Sequence, residues 1–175
     1  MNQPLEIKTK MRFKDAFRYN IYVAYRSVLT RIFLGLSILS MGIFIYNVIN
    51  GPGRIDENFA QSFGLLIPPF MAFVLIPARV WKATGALLGS QILKDEAIYL
   101  FDQDKITLRT SQGEADIKWD DYVRITETRH DFRFFMDKVQ AQIIPKYGLT
   151  PEEIKKLSTV IKASADSQIV KLKSF

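Results

Sequence analysis

The chain has 175 residues, with 24 Lys and Arg against 18 Asp and Glu, a net charge of +6, one His and no Cys. Without a thiol there is no disulfide framework, thiolate metal site or cysteine nucleophile. The mean hydropathy of +0.03 averages an uncharged middle with polar ends, so the local pattern decides, and one modest water-soluble domain is the most the remainder can build.

Residues 5–13 read LEIKTKMRF, with Leu5, Ile7, Thr9, Met11 and Phe13 on one parity and Glu6, Lys8, Lys10 and Arg12 on the other. That period of two predicts a strand with one wet face, which must pair with strands far away in sequence. From Lys14 the period becomes helical: Lys14, Arg18, Tyr22 and Arg26 form one stripe, and Phe17, Ile21, Ala24 and Val28 another. This is an amphipathic helix at the membrane interface or a cytoplasmic extension of the span that follows.

Residues 32–49 and 59–78 contain no Lys, Arg, Asp or Glu. A hydrocarbon core about 30 Å thick takes about 20 apolar helical residues, so the two runs predict a transmembrane hairpin turned by residues 50–58. Lys8, Lys10, Arg12, Lys14, Arg18, Arg26 and Arg31 precede the first run, Arg79 and Lys82 follow the second, and the loop holds only Arg54. The positive-inside rule then puts both termini in the cytoplasm and the protein in the cytoplasmic membrane. A secretory signal is not expected, since its short apolar region follows a short basic start and here the run begins at Ile32. Gly35 and Gly42, with Ser37 and Ser40 nearby, thin the first helix for packing against the second, with a homodimer seam as the alternative. Pro68-Pro69 should deprive the Gly64 and Leu65 carbonyls of partners and kink the second span, as a fixed bend or as a hinge. Past Pro77 the helix should run on to about Lys94. The whole of 14–94 is thus expected to be the membrane region, with 1–13 and 95–175 making one cytoplasmic domain.

After Glu96 come six short strands, AIYLF, KITLRT, ADIKW, YVRITET, FRFFM and VQAQII, separated by Asp-, Gly- and Ser-rich turns. Alternation such as Ile106 and Leu108 against Thr107 and Arg109 predicts half-buried antiparallel strands in a meander. Thr150-Pro151-Glu152-Glu153 is a helix start with a capping box, Leu149 and Ile154 a hydrophobic staple, and Ile154, Leu157, Ile161 and Ala165 the apolar stripe. The tail beyond Ser167 is expected to fray. The fold class is α+β: a membrane hairpin inserted after the first strand of a pleckstrin-homology-like (PH-like) split barrel with a C-terminal helix.

A leading strand, two spans, Ile117-Lys118-Trp119-Asp120-Asp121-Tyr122, Ile125-Thr126-Glu127-Thr128, and Ile143-Ile144-Pro145-Lys146 ahead of Thr150-Pro151-Glu152-Glu153 together resemble the YcxB-like bacterial membrane proteins, whose soluble part is similar to bacterial PH-like domains. The resemblance implies a fold and a membrane location, and no enzymatic reaction.

Residue chemistry points the same way. His130 sits in a turn without further ligands, Asp102 with Asp104 and Asp120 with Asp121 are turn formers short of an oxygen cage, and no Walker loop, GxSxG elbow or dinucleotide fingerprint is present. No catalytic residue, metal or cofactor is expected. Lys8, Lys10, Arg12, Lys14 and Arg18 either clamp anionic lipid or fix topology. Trp119 plugs the core or meets a partner, and Pro145 with Lys146 either lines a recognition edge or ends a strand. The expected partners are membrane lipids and a protein, not nucleic acid. By analogy with PH-like membrane proteins associated with bacteriocin resistance, the alternative is an immunity protein whose partner is a toxin.

Overall fold

In the computed structural model, residues 4–89 and 95–172 are described. The chain divides into two units, residues 16–86 and residues 1–15 with 87–175.

In the second of these, β1 (Leu5–Thr9) places Ile7 and Thr9 inside and Glu6 and Lys8 outside, as its alternation requires. The strand is shorter than 5–13. The Asp15 carboxylate accepts the Arg12 backbone N–H at 3.3 Å and its Nε at 3.2 Å, which turns the chain into α1 (Phe13–Ala24). β1 pairs antiparallel with β2 (Ala97–Phe101), Leu5 opposite Phe101 and Thr9 opposite Ala97, across everything inserted between them. β3 (Lys105–Thr110) and β4 (Gly113–Lys118) complete a four-stranded sheet in the order β1-β2-β3-β4. Gly113 has φ of 144°, a conformation that closes the β3–β4 turn and that side-chain-bearing residues rarely adopt.

The meander stops there. A 3₁₀ turn at Trp119–Asp121 leads to β5 (Arg124–Glu127), β6 (Asp131–Phe135) and β7 (Ala141–Pro145), which with β8 (Val170–Lys171) form a second four-stranded sheet ordered β7-β6-β5-β8. Two sheets without barrel closure therefore replace the continuous curl expected from six consecutive strands. The tail also differs from expectation: Val170 and Lys171 pair parallel to Ile125 and Thr126. Pro145 ends an edge strand, where its missing N–H is tolerated.

The two sheets share one core. Phe134 of β6 lies 5.9 Å from Phe101 of β2, 6.4 Å from Trp119 and 5.5 Å from Tyr122, so one aromatic cluster joins them. α4 (Pro151–Ser164) adds Leu157 and Ile161, both fully buried. Its start matches the sequence motif: Thr150 Oγ1 accepts the Glu153 N–H at 3.2 Å, and the Thr150 N–H donates to Glu153 Oε2 at 2.7 Å.

The other unit is built on two apolar helices, α2 (Val28–Asn50) and α3 (Ile55–Ala86), each long and apolar enough to cross a membrane. α2 starts before residue 32 because Val28, Leu29 and Thr30 extend the helix without a break. The loop between them is tight. A Cβ on Gly51 would lie 2.5 Å from the Asn47 carbonyl oxygen, and buried Asn58 holds Gly53 through paired hydrogen bonds at 3.1 Å.

The helices do not meet at the glycines. A Cβ at Gly35 or Gly42 would enter open space; of the expected small residues it is Ser37 and Ser40 that lie on the shielded stripe of α2, with Phe33, Phe44 and Asn47. Gly35 is two residues from Phe33 and from Ser37, which turns it about 200° away from either at 3.6 residues per turn. Phe44 packs edge-on to Phe59 of α3 at 5.4 Å.

Irregular backbone in α3 follows its prolines. The Gly64 carbonyl is not left open by Pro68, because a 3₁₀ turn at Phe63–Leu66 gives it the Ile67 N–H. Further on, Met71–Leu75 is π-helical, with the Ile76 N–H bonded to the Met71 carbonyl. The next donor in that register would be residue 77, a proline without an N–H, so the Ala72 carbonyl needs another partner. The Tyr25 hydroxyl donates to it at 2.6 Å. Replacing Tyr25 with Phe removes this bond from a buried carbonyl and should cost about 1–3 kcal/mol. Faster amide exchange over 71–77 in a Tyr25→Phe variant is the expected readout; unchanged protection there would count against the assignment. The helix end placed near Lys94 lies outside the described residues.

Candidate functional site

Tyr147, next to the expected Pro145-Lys146 pair, joins that segment to the expected Lys10 and Arg12 at one corner of the β-rich unit. The Arg12 guanidinium stands 3.2 Å from the centroid of the Tyr147 ring, and the Tyr147 hydroxyl donates to the Lys10 carbonyl. The exit of β1 is therefore clasped to the 3₁₀ turn Lys146–Gly148 that follows β7. Burial pushes the Tyr147 hydroxyl pKa up, while Arg12 draws it down.

Beside Tyr147, the Lys146 ammonium donates to the Glu127 carboxylate, the side chains being 12% and 1% exposed. Lys146 also lies 4.6 Å from the Phe132 ring centroid. This is an internal ion pair: β5 puts Glu127 on the same parity as core residue Ile125, and a buried carboxylate requires a cation. Tyr147 and Glu127 were not among the residues expected to matter. An acid on the apolar parity of a strand is the sequence signal that could have found Glu127.

The remaining expected residues are dispersed. Lys8 is exposed and 3.2 Å from Glu6 on its own strand. Lys10 and Lys14 are exposed. Arg12 is engaged by Asp15 and Tyr147. Arg18 belongs to the helical unit. Trp119 is 4% exposed, its indole N–H donating to the Asp102 carbonyl at 3.0 Å; its side chain is in the core, the first of its two readings. Pro145 is buried opposite Asp131.

A second buried pair lies on β6, where Arg133 reaches Asp131 through two bonds at 2.8 and 3.2 Å and Thr128 adds a third at 2.6 Å. Among the described residues no three His, Asp or Glu converge as a metal site. Asp102 and Asp121 accept backbone N–H bonds at 2.7 and 3.0 Å within their turns.

Residues 101–161 match the family model described as YcxB-like protein. The resemblance carried by the sequence motifs is thus borne out over this stretch, from the end of β2 into α4. No curated protein and no solved structure matches the chain.

Proposed function

We propose that this chain is a non-enzymatic integral membrane protein. Its hairpin crosses the cytoplasmic membrane twice and holds a PH-like domain at the inner leaflet, where the domain binds a protein partner or anionic lipid headgroups. The observation that carries the membrane reading is the exposure of α2 and α3. Ile32, Leu39, Ile49, Phe63, Phe70 and Phe73 are all exposed apolar side chains on helices with few buried residues. A core helix of a soluble protein buries such residues; a helix solvated by lipid does not. Two four-stranded sheets, antiparallel apart from the β5–β8 pairing, share a core with the C-terminal α4 and support the PH-like reading, and exposed Lys10 and Lys14 supply cations next to the start of α1.

The absence of Cys makes the test direct. In intact spheroplasts, a membrane-impermeant maleimide should label Arg54→Cys before lysis and Gln103→Cys only after it. Equal labelling of both positions in intact cells removes the hairpin topology. Mild-detergent purification followed by mass spectrometry then identifies the ligand: anionic phospholipid lost in a Lys8→Gln/Lys10→Gln/Lys14→Gln variant indicates lipid, and a co-purified protein that survives those changes indicates a partner.

A further inference from the structure

On the inward face of the first sheet the apolar core does not extend to the end of the strands. Beyond it lies a cleft of about 200 Å³. Met11, Leu108 and Ile143 give it apolar walls, and Asp95 and Glu96 are the charged residues among its described lining. Both are acids, in a chain whose net charge is +6. The Ser111 hydroxyl donates to the Asp95 carboxylate and fixes it at the rim.

A second observation concerns Tyr99. It lines the same cleft, is only 6% exposed, and its hydroxyl has no hydrogen-bond partner among the described residues. The oxygen is not among the sealed, partnerless polar atoms of the described residues, so it is reached from the cleft and open to a ligand. Burial pushes its pKa up to about 12, so it remains a neutral phenol, able to donate a proton or to accept an ammonium N–H.

Size narrows the ligand. An apolar cavity of about 150 Å³ holds benzene, so this cleft takes a ring with a short chain. We propose that the cleft is a binding site for a small amphiphilic amine, its apolar body on Met11, Leu108 and Ile143 and its ammonium group among Asp95, Glu96 and the Tyr99 oxygen. The site lies within the β-rich unit and does not depend on the hairpin crossing a bilayer.

The test uses the full chain in nanodiscs of zwitterionic lipid, with empty discs as reference. Three probes of one shape are titrated by calorimetry: 3-phenylpropylamine, 3-phenylpropanol and 3-phenylpropanoate. The amine should bind roughly tenfold more tightly than the alcohol, with the carboxylate weakest. Asp95→Asn/Glu96→Gln, with partly or fully exposed side chains, should lower amine affinity by a similar factor and leave the alcohol unmoved. Tyr99→Phe, which keeps the ring, should weaken the amine several-fold. Equal affinity for all three probes overturns the proposal. So does amine binding indifferent to both variants, or no binding beyond that of empty discs.

Discussion

Replacing Trp119 with Ala should destabilise the β-rich unit by about 3–5 kcal/mol, the usual range for truncating a buried large aromatic. Three losses combine. The cavity opens beside Phe101 and Phe134, at 6.2 and 6.4 Å from the indole. The Asp102 carbonyl loses the donor now 3.0 Å away. The joint between the two sheets weakens as well, since Phe101 and Phe134 belong to different sheets. Trp119→Phe refills part of the space but restores no donor, so its cost should be smaller. Pulse proteolysis across a urea series reads the unfolding of this unit. A midpoint for Trp119→Ala equal to that of the unaltered chain would show that the cluster does not join the sheets.

Removing the cation opposite Glu127 is expected to have an effect of similar size. With Lys146→Met, the stem of the side chain is largely preserved while a carboxylate 1% exposed loses its counter-charge. Breaking a buried pair on one side costs about 3–5 kcal/mol, because the remaining ion is left desolvated. The double variant Lys146→Met/Glu127→Leu removes both charges and should recover most of that loss. Recovery distinguishes a pairing effect from a packing effect. If the double variant is as unstable as Lys146→Met alone, the ion pair is not what Lys146 contributes. The same experiment bears on the Pro145-Lys146 segment: an ammonium committed to Glu127 is held at the corner that Tyr147 clasps to β1.

What could be read from the residues beforehand follows the range of the interactions involved. Parity and the Asp102-Gln103-Asp104 turn act within a few residues, so the sequence predicts β2 and β3 at their observed bounds. The start of α4 was equally local, with Thr150 and Glu153 three residues apart. The split into two sheets was not legible. It is set where Trp119 turns inward to a carbonyl 17 positions earlier, beyond the few residues over which parity and turn chemistry act. β8 depends on a parallel pairing with β5, which two residues of tail cannot announce. Of the small residues expected at the helical seam, Ser37 and Ser40 lie on the shielded stripe and Gly35 and Gly42 do not, because small residues permit close approach without requiring it. At the candidate site, the exposed lysines were evident as charges, but the clasp of Arg12 on Tyr147 and the pairing of Lys146 with Glu127 exist only once β1, β5 and β7 have met.

The register between Thr9 and Ala97 sets an order of events in biosynthesis. At roughly 5–20 residues per second, β1 leaves the ribosome several seconds before the strand that will pair with it. During that interval its apolar side, Leu5, Ile7 and Thr9, has no sheet to join, and both α2 and α3 are made before one arrives. Sheet closure is therefore a late event: until β2 has been made, the N-terminal strand is without its partner.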